Sequence, residues 1–253
     1  MTQPTISANL LLLADKWQAG ADQVSLAAEL ADLGFSTIEI RREYFRDIAQ
    51  EIPEVAKLAA DKGLTLYYSI PAELFVAGQL NPELETFMAE AKAMGIQKAK
   101  FNIGDFANFN GDLVQTLQPL LSHGIEVNIE NDQTQASGRL APVQTFLEAV
   151  QAAKLNLGYV YDLGNWPFVR EDPLEAAKAL SPYVRYIHVK DDLTSGADPI
   201  TVPLDLGDLP WRRILDVLPK TVPVALEYPT ADTDVIKVGR EKLADYFKES
   251  KDL

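Results

Sequence analysis

Eight short apolar runs recur along the chain. Each is bounded by Gly, Pro, Asp or Asn, and each is separated from the next by a stretch long enough for a helix. The runs are TISANLLLL (5–13), STIEIR (36–41), LTLYYSI (64–70), KAKFNI (98–103), IEVNIE (125–130), LGYVYD (157–162), VRYIHVK (184–190) and VPVALEY (222–228). Runs of this length between turn-forming residues are strands. The stretches between them carry the helical period. SLAAELADLG places Leu26, Leu30 and Leu33 on one face and stops at Gly34. The segment 53–63 stops at Gly63, and 82–95 has Pro at its start and Gly at its end, the usual asymmetry of a helix. Segments 142–154 and 240–249 read the same way.

Alternating strand and helix call for a parallel sheet. Eight units in 253 residues, about 32 residues each, match a (β/α)8 TIM barrel. A doubly wound sheet would show a Gly-rich turn after its first strand, and LLLLADKWQAG has none. No low-complexity tract, charge block or Ser/Gly linker marks a boundary, so the expectation is a single TIM-barrel domain over residues 1–253.

The formal net charge of −14 argues against nucleic acid and anionic membranes as partners. The absence of cysteine removes disulfides, Cys–Zn sites, Fe–S clusters and a thiol nucleophile together. The N-terminal stretch MTQPTISANLLLLADKW has no basic segment, and its apolar run is too short to span a bilayer. A cytoplasmic location is expected, with the run read as a first strand plus its following loop.

Active sites of such barrels lie at the C-terminal ends of the strands. The second run ends with Glu39 and Arg41, the fourth carries Lys100 and Asn102, and the fifth carries Asn128 and Glu130. The sixth ends with Asp162, the seventh with His188 and Lys190, and the eighth carries Glu227. A lone acid at a strand end is more often a solvated residue or a helix cap. Glu130, Asp162, His188 and Glu227, however, end four successive strands. Three carboxylates gathered at one mouth repel unless a cation neutralises them. One His with three carboxylates is a hard, oxygen-rich donor set. It suits Mn²⁺ or Mg²⁺, with Co²⁺ or Zn²⁺ as further candidates.

The order Glu, Asp, His, Glu on the last four strands resembles the xylose isomerase-like TIM barrels, the sugar isomerases and epimerases. GQLNPELE, IENDQT, DLGNW and LEYP look, within them, like the epimerases encoded with 2-ketogluconate utilisation. The resemblance implies metal ligation by Glu130, Asp162, His188 and Glu227, and a small-molecule sugar or sugar acid as substrate. It also implies that Glu130 and Glu227 form the catalytic acid–base pair, and that homo-oligomers are common. Three positions depart from the ketose 3-epimerases. Asn165 stands where they carry His, Ala136 where they carry Glu and Thr194 where they carry Arg. The metal site transfers; a neutral ketose as substrate does not follow.

Epimerisation next to a carbonyl removes a proton and leaves an enediolate. A divalent ion stabilises that charge, and two carboxylates can carry the proton on opposite faces. Arg41, Lys100 and Lys190 either balance the acids or grip an anionic substrate. Glu39 and Asn165 are further substrate-contact candidates. Trp166 either covers a sugar face or packs under a loop. His123, at the start of the fifth strand, lies at the opposite end and is given no chemistry. The rival readings are a metal-dependent dehydratase on the same scaffold and a non-catalytic sugar-binding barrel. A DNA-repair endonuclease of this barrel type would need a His-rich three-zinc site and a basic groove, which two histidines and this charge do not supply.

Overall fold

The computed structural model describes residues 3–249. The domain reading's residues 1–2 and 250–253 lie outside the described residues. Eleven strands occur among the described residues: β1 (Ile6–Asn9), β2 (Thr37–Arg41), β3 (Thr65–Val76), β4 (Gln79–Leu80), β5 (Lys98–Gly104), β6 (Glu126–Glu130), β7 (Gly158–Asp162), β8 (Val184–Val189), β9 (Asp191–Leu193), β10 (Ile200–Val202) and β11 (Val224–Leu226). The helices are α1 (Ala14–Gln18), α2 (Gln23–Asp32), α3 (Ile48–Lys62), α4 (Leu84–Met94), α5 (Leu113–Leu121), α6 (Leu140–Ala152), α7 (Asn165–Phe168), α8 (Pro173–Leu180), α9 (Trp211–Val217) and α10 (Thr233–Glu249).

The sheet runs β2-β1-β11-β8-β7-β6-β5-β3, and β3 pairs back onto β2, so eight parallel strands close into the (β/α)8 TIM barrel expected from the eight runs. β4 folds back antiparallel on the long end of β3, and β9 and β10 form a separate two-stranded ribbon. None of the helices among the described residues is long and apolar enough to cross a membrane.

Local chemistry accounts for the element ends. Asp22 caps α2 by accepting from Ser25 N at 2.8 Å. Gly63 and Gly95 end α3 and α4 with φ of 64° and 73°, a left-handed turn that favours glycine. Two expected boundaries are corrected. Pro53 lies inside α3, whose cap is Asp47. The first run is a strand only to Asn9; Leu10–Leu13 form a 3-10 turn whose first free N–H, on Leu11, is capped by the Asn9 side chain at 2.8 Å.

The core has two parts. The larger lies between the strands and the helices, where Leu26, Leu30, Phe101, Phe146 and Trp211 are buried. Each such side chain is worth about 1.5–3 kcal/mol relative to exposure. The smaller fills the barrel lumen with Tyr67, Val160, Tyr186 and Ala225. Because side chains alternate along a strand, the residues two positions beyond Tyr186 and Ala225, His188 on β8 and Glu227 just past β11, point into the same lumen at its C-terminal end. The apolar layer is the floor on which the polar mouth stands.

Candidate metal centre

Glu130, Asp162, His188 and Glu227 each direct one ligand-type atom to a common point, and these atoms lie within 4.8 Å of one another. Asp162 and His188 are register partners on β7 and β8. Glu130 at the end of β6 and Glu227 just past β11 flank them on the outer strands of the arc. All four are buried.

The inward atoms are Glu130 Oε1, Asp162 Oδ2, His188 Nδ1 and Glu227 Oε2. From His188 Nδ1, the three oxygens lie at 2.7, 3.8 and 3.1 Å. The first three of these atoms are buried and make no hydrogen bond. Their close contacts are with charge alone, Glu130 Oε1 with His188 Nδ1 and Asp162 Oδ2 with Lys190 Nζ, each at 2.7 Å, and acids that converge in this way on one buried point fit a cation. This donor set could therefore hold a divalent metal ion.

Every outward atom of the same four residues is held by this chain. Lys100 Nζ donates to Glu130 Oε2. Asn9 Nδ2 and Arg41 Nη1 donate to Glu227 Oε1 at 2.9 and 3.0 Å. The backbone N–H groups of Gly164 and Asn165 donate to Asp162 Oδ1 at 2.9 and 3.2 Å. His188 Nε2 bonds Glu39 Oε2 at 2.8 Å, and that same oxygen accepts from Tyr186 OH at 2.6 Å. Such outer partners fix ligand orientation and, for the imidazole, which nitrogen is left to face the cation.

The charges explain the titration behaviour. Burial opposes the imidazolium of His188, but Glu227, Glu39 and Glu130 outweigh it and hold its pKa well above the usual value. Burial likewise raises Glu227, but His188 and Lys190 overcome this and hold it well below the carboxylate range. At Asp162 burial prevails over Lys190, and the pKa rises.

The structure redistributes several sequence candidates. Glu39 is buried beneath His188, on the side away from the ligand cluster, and supports the ligand rather than lining the mouth. Trp166 is buried in the main core, 5.8 Å from the Tyr161 ring between centroids, so its ring offers no open face for a sugar. The side chain of Asn165 donates to Asn131 O at 2.8 Å and accepts from Gln133 Nε2 at 3.0 Å, pinning the loop after β6. Arg41, Lys100 and Lys190 are all paired with ligand carboxylates. His123 pairs with Glu85 at 3.1 Å, on helix α4, and has no part in the centre.

Two supporting residues escaped the sequence reading. Asn9 was hidden inside an apolar run that continues past the strand end. Asn131 clamps β6 to β7 by donating to Asp162 O at 3.0 Å and accepting from Asp162 N at 2.9 Å. The rule of a polar residue where an apolar run stops would have found Asn131, but not Asn9, whose run continues into Leu10–Leu13.

Beside the centre, Asp192 is buried and neither carboxylate oxygen has a hydrogen-bond partner. Burial pushes its pKa up to about 6, with Asp162 and Asp191 adding to the rise; Thr201 across the ribbon and Lys190 oppose it. An acid whose folded pKa lies above its unfolded value destabilises the fold above the folded pKa and not below the unfolded one. Asp192→Asn should therefore stabilise the chelator-treated protein near about pH 8 and have little effect near about pH 4, a difference of about 2–4 °C in melting temperature. Equal shifts at both pH values would show that the buried carboxylate carries no such penalty.

A closed parallel barrel with an acid-and-histidine cluster at the C-terminal ends of its strands defines a TIM-barrel protein with a candidate metal centre. The chain belongs to the xylose isomerase-like TIM barrel family, whose model matches residues 27–249. No curated protein matches the sequence. Among solved structures, an L-ribulose 3-epimerase aligns with TM-score 0.70 at 15% identity over 99% of this chain and 96% of its own. A xylose isomerase-like TIM barrel protein from Mycobacterium smegmatis in complex with magnesium aligns with TM-score 0.65 at 18% identity over 98% and 97%. A xylose isomerase-like TIM barrel/4-hydroxyphenylpyruvate dioxygenase fusion protein aligns with TM-score 0.69 at 16% identity over 90% of this chain, which spans only 39% of that protein. At such identities the likeness shows the fold.

Proposed function

We propose that the chain is a divalent-metal-dependent epimerase or isomerase acting on a sugar or sugar acid, with keto-sugars and 2-ketogluconate-related acids as first candidates. The observation that carries this is the convergence of Glu130, Asp162, His188 and Glu227 within 4.8 Å, with three of the four inward atoms making no hydrogen bond while the outward atoms are held. The family supports it, as does the naming of an L-ribulose 3-epimerase and a magnesium complex among proteins of the same fold. Residues 1–253 act as one barrel domain, the protein works in the cytoplasm, and Mg²⁺ or Mn²⁺ is the favoured metal.

Glu130, Asp162, His188 and Glu227 would hold the ion. When bound, it supplies Lewis-acid stabilisation of the charge that develops on substrate oxygen. Glu130 and Glu227 stand on the outer strands of the arc. One removes the proton next to the carbonyl and the other returns one from the opposite side. Lys100 and Arg41 hold each of these carboxylates by its outer oxygen, so the inner oxygen keeps a fixed aim. Proton abstraction would equally begin a dehydration, and that reading differs only in what leaves next. The test is incubation of the metal-loaded protein with a panel of keto-sugars and sugar acids in D₂O. Epimerisation places solvent deuterium at the inverted carbon, whereas a dehydratase gives a product lighter by one water. No turnover across the panel would leave a sugar-binding barrel.

Substrate charge gives a second expectation. Arg41 and Lys100 keep 16% and 11% of their side chains exposed, enough to meet a substrate at the rim. Sugar acids should bind more tightly than neutral ketoses of the same length, and Arg41→Ala or Lys100→Ala should narrow that gap. Both residues also orient ligands, so the readout is the ratio of the two affinities at saturating metal. A ratio near one in the intact protein removes the anionic-substrate reading.

A further inference from the structure

Lys190 differs from the other two cations of the centre. Lys100 and Arg41 sit on outward oxygens of Glu130 and Glu227. Lys190 Nζ sits instead on the inward ones: it lies 2.7 Å from Asp162 Oδ2, an ion pair without hydrogen-bond geometry, and 2.7 Å from Glu227 Oε2, to which it donates. Those are two of the four atoms that face the common point. An ammonium and a divalent ion on the same two oxygens compete, since like charges at such range in a buried site repel.

A second place for the ammonium lies close by. A Cβ built on Gly164 would fall 2.5 Å from both Cγ and Cδ of Lys190, so the lysine stem crosses bare glycine. The same point is 2.7 Å from Asp192 Oδ2. Asp192 therefore lies beside the stem, buried and without a hydrogen-bond partner. Its neighbour Asp191 shows the contrast. That carboxylate accepts from four backbone N–H groups, those of Asp192, Asp205, Gly207 and Leu209, at 2.9–3.1 Å. Of two adjacent buried aspartates, one is saturated and the other is open toward a lysine. A flexible four-carbon stem can pivot between two carboxylate positions.

We propose that Lys190 is a tethered stand-in for the metal, bridging Asp162 and Glu227 until a divalent ion enters and then resting on Asp192, so that this pair sets the metal affinity of the centre. The inference rests on the metal reading of the site and adds two residues to it. Lys190 keeps the carboxylates apart and paired in the metal-free protein. It also makes the ion compete for its place, which lowers affinity and selects against weakly held cations. Asp192 offsets part of that cost by receiving the displaced charge.

The test is calorimetric titration of Mn²⁺ into the intact protein and into Lys190→Met, Lys100→Met and Asp192→Asn. The two lysine variants remove the same charge, so general electrostatics predicts the same gain in both. The proposal predicts a gain in one and none in the other. Lys190→Met should bind Mn²⁺ about tenfold more tightly or better, Lys100→Met no more tightly than the intact protein, and Asp192→Asn severalfold more weakly. Equal tightening in both lysine variants, or no gain in Lys190→Met, overturns it while leaving the metal reading intact. Absence of Mn²⁺ binding in the intact protein and in Lys190→Met alike overturns both. Because Lys190→Met leaves two buried carboxylates unpaired, melting with and without Mn²⁺ provides a second readout. The variant should melt lower than the intact protein without metal and show the larger rise with it, and an equal or smaller rise counts against the proposal.

Discussion

Glutamine at position 130 or 227 is expected to reduce turnover by about 10²–10⁴-fold or more even at saturating metal, the range for loss of a general acid or base. Saturation matters because of the hydrogen bonds around these residues. Glu130 Oε2 accepts from Lys100, and Glu227 Oε1 accepts from Asn9 and Arg41. A glutamine has one oxygen, and both sides demand it. Turned outward, it satisfies the donors and offers an NH₂ to the ion. Turned inward, it faces its NH₂ against Lys100 or Arg41. Metal affinity should therefore fall about 10–100-fold in either variant, as for loss of an orienting contact. A turnover loss that vanishes on adding metal would make the two residues ligands only. A turnover loss that persists assigns the proton role. The two variants should then differ in isotope exchange, with one still exchanging the substrate proton in D₂O without inverting the carbon. A product formed without solvent deuterium would replace the two-base mechanism with a hydride shift.

How much of this was visible in the sequence depends on whether a residue's partner is local. The eight strands were legible because each is a closed apolar run, and the strand ends were legible because a polar residue stops the run. Leu10–Leu13 broke that rule: an apolar stretch continues past the strand as a 3-10 turn and hid Asn9. The strand after Leu64 was expected to stop at Ile70, yet β3 runs to Val76 because its far end pairs with both β5 and β4. α5, α8 and α9 were missed as short helices, although Asp112 and Asp172 cap the first two as recognisable start signals. The β9–β10 ribbon, with register Asp192↔Thr201, is joined by the six residues 194–199, longer than the two-residue turns that announce a hairpin, and Asp191 at its start is held by the backbone of Asp205 and Gly207.

The cluster of Glu130, Asp162, His188 and Glu227 was legible by spacing and order. The division of labour around it was not, because it depends on which oxygen of a carboxylate a distant residue reaches. Glu39 and His188 are 149 positions apart, and Asn9 and Glu227 are 218 apart. Sequence reading placed Glu39, Lys100 and Lys190 together as mouth residues. Geometry separates one beneath a ligand, one behind a ligand and one in front of two.

His188 is the residue on which the centre turns, and its replacement should change two measurements in a fixed relation. In the intact protein Mn²⁺ at about a hundred times its dissociation constant should add about 2.7 kcal/mol of stability by mass action. His188→Ala should abolish most of that response, because it removes the only nitrogen donor of the four. It should also destabilise the metal-free protein by about 3–5 kcal/mol, the cost of leaving buried charges without their partner. Glu39 Oε2, Glu130 Oε1 and Glu227 Oε2 lie 2.8, 2.7 and 3.1 Å from the ring nitrogens, so the imidazole stands between Glu39 on one side and the other two on the other. The two losses have different causes, and a second substitution parts them. Adding Glu39→Gln to His188→Ala removes one of the stranded carboxylates, so metal-free stability should partly return while the metal response should not. If His188→Ala keeps the full metal response, the ion sits elsewhere and the four-residue assignment is wrong. If the double variant regains no stability, charge repulsion at Glu39 was not what the imidazole relieved.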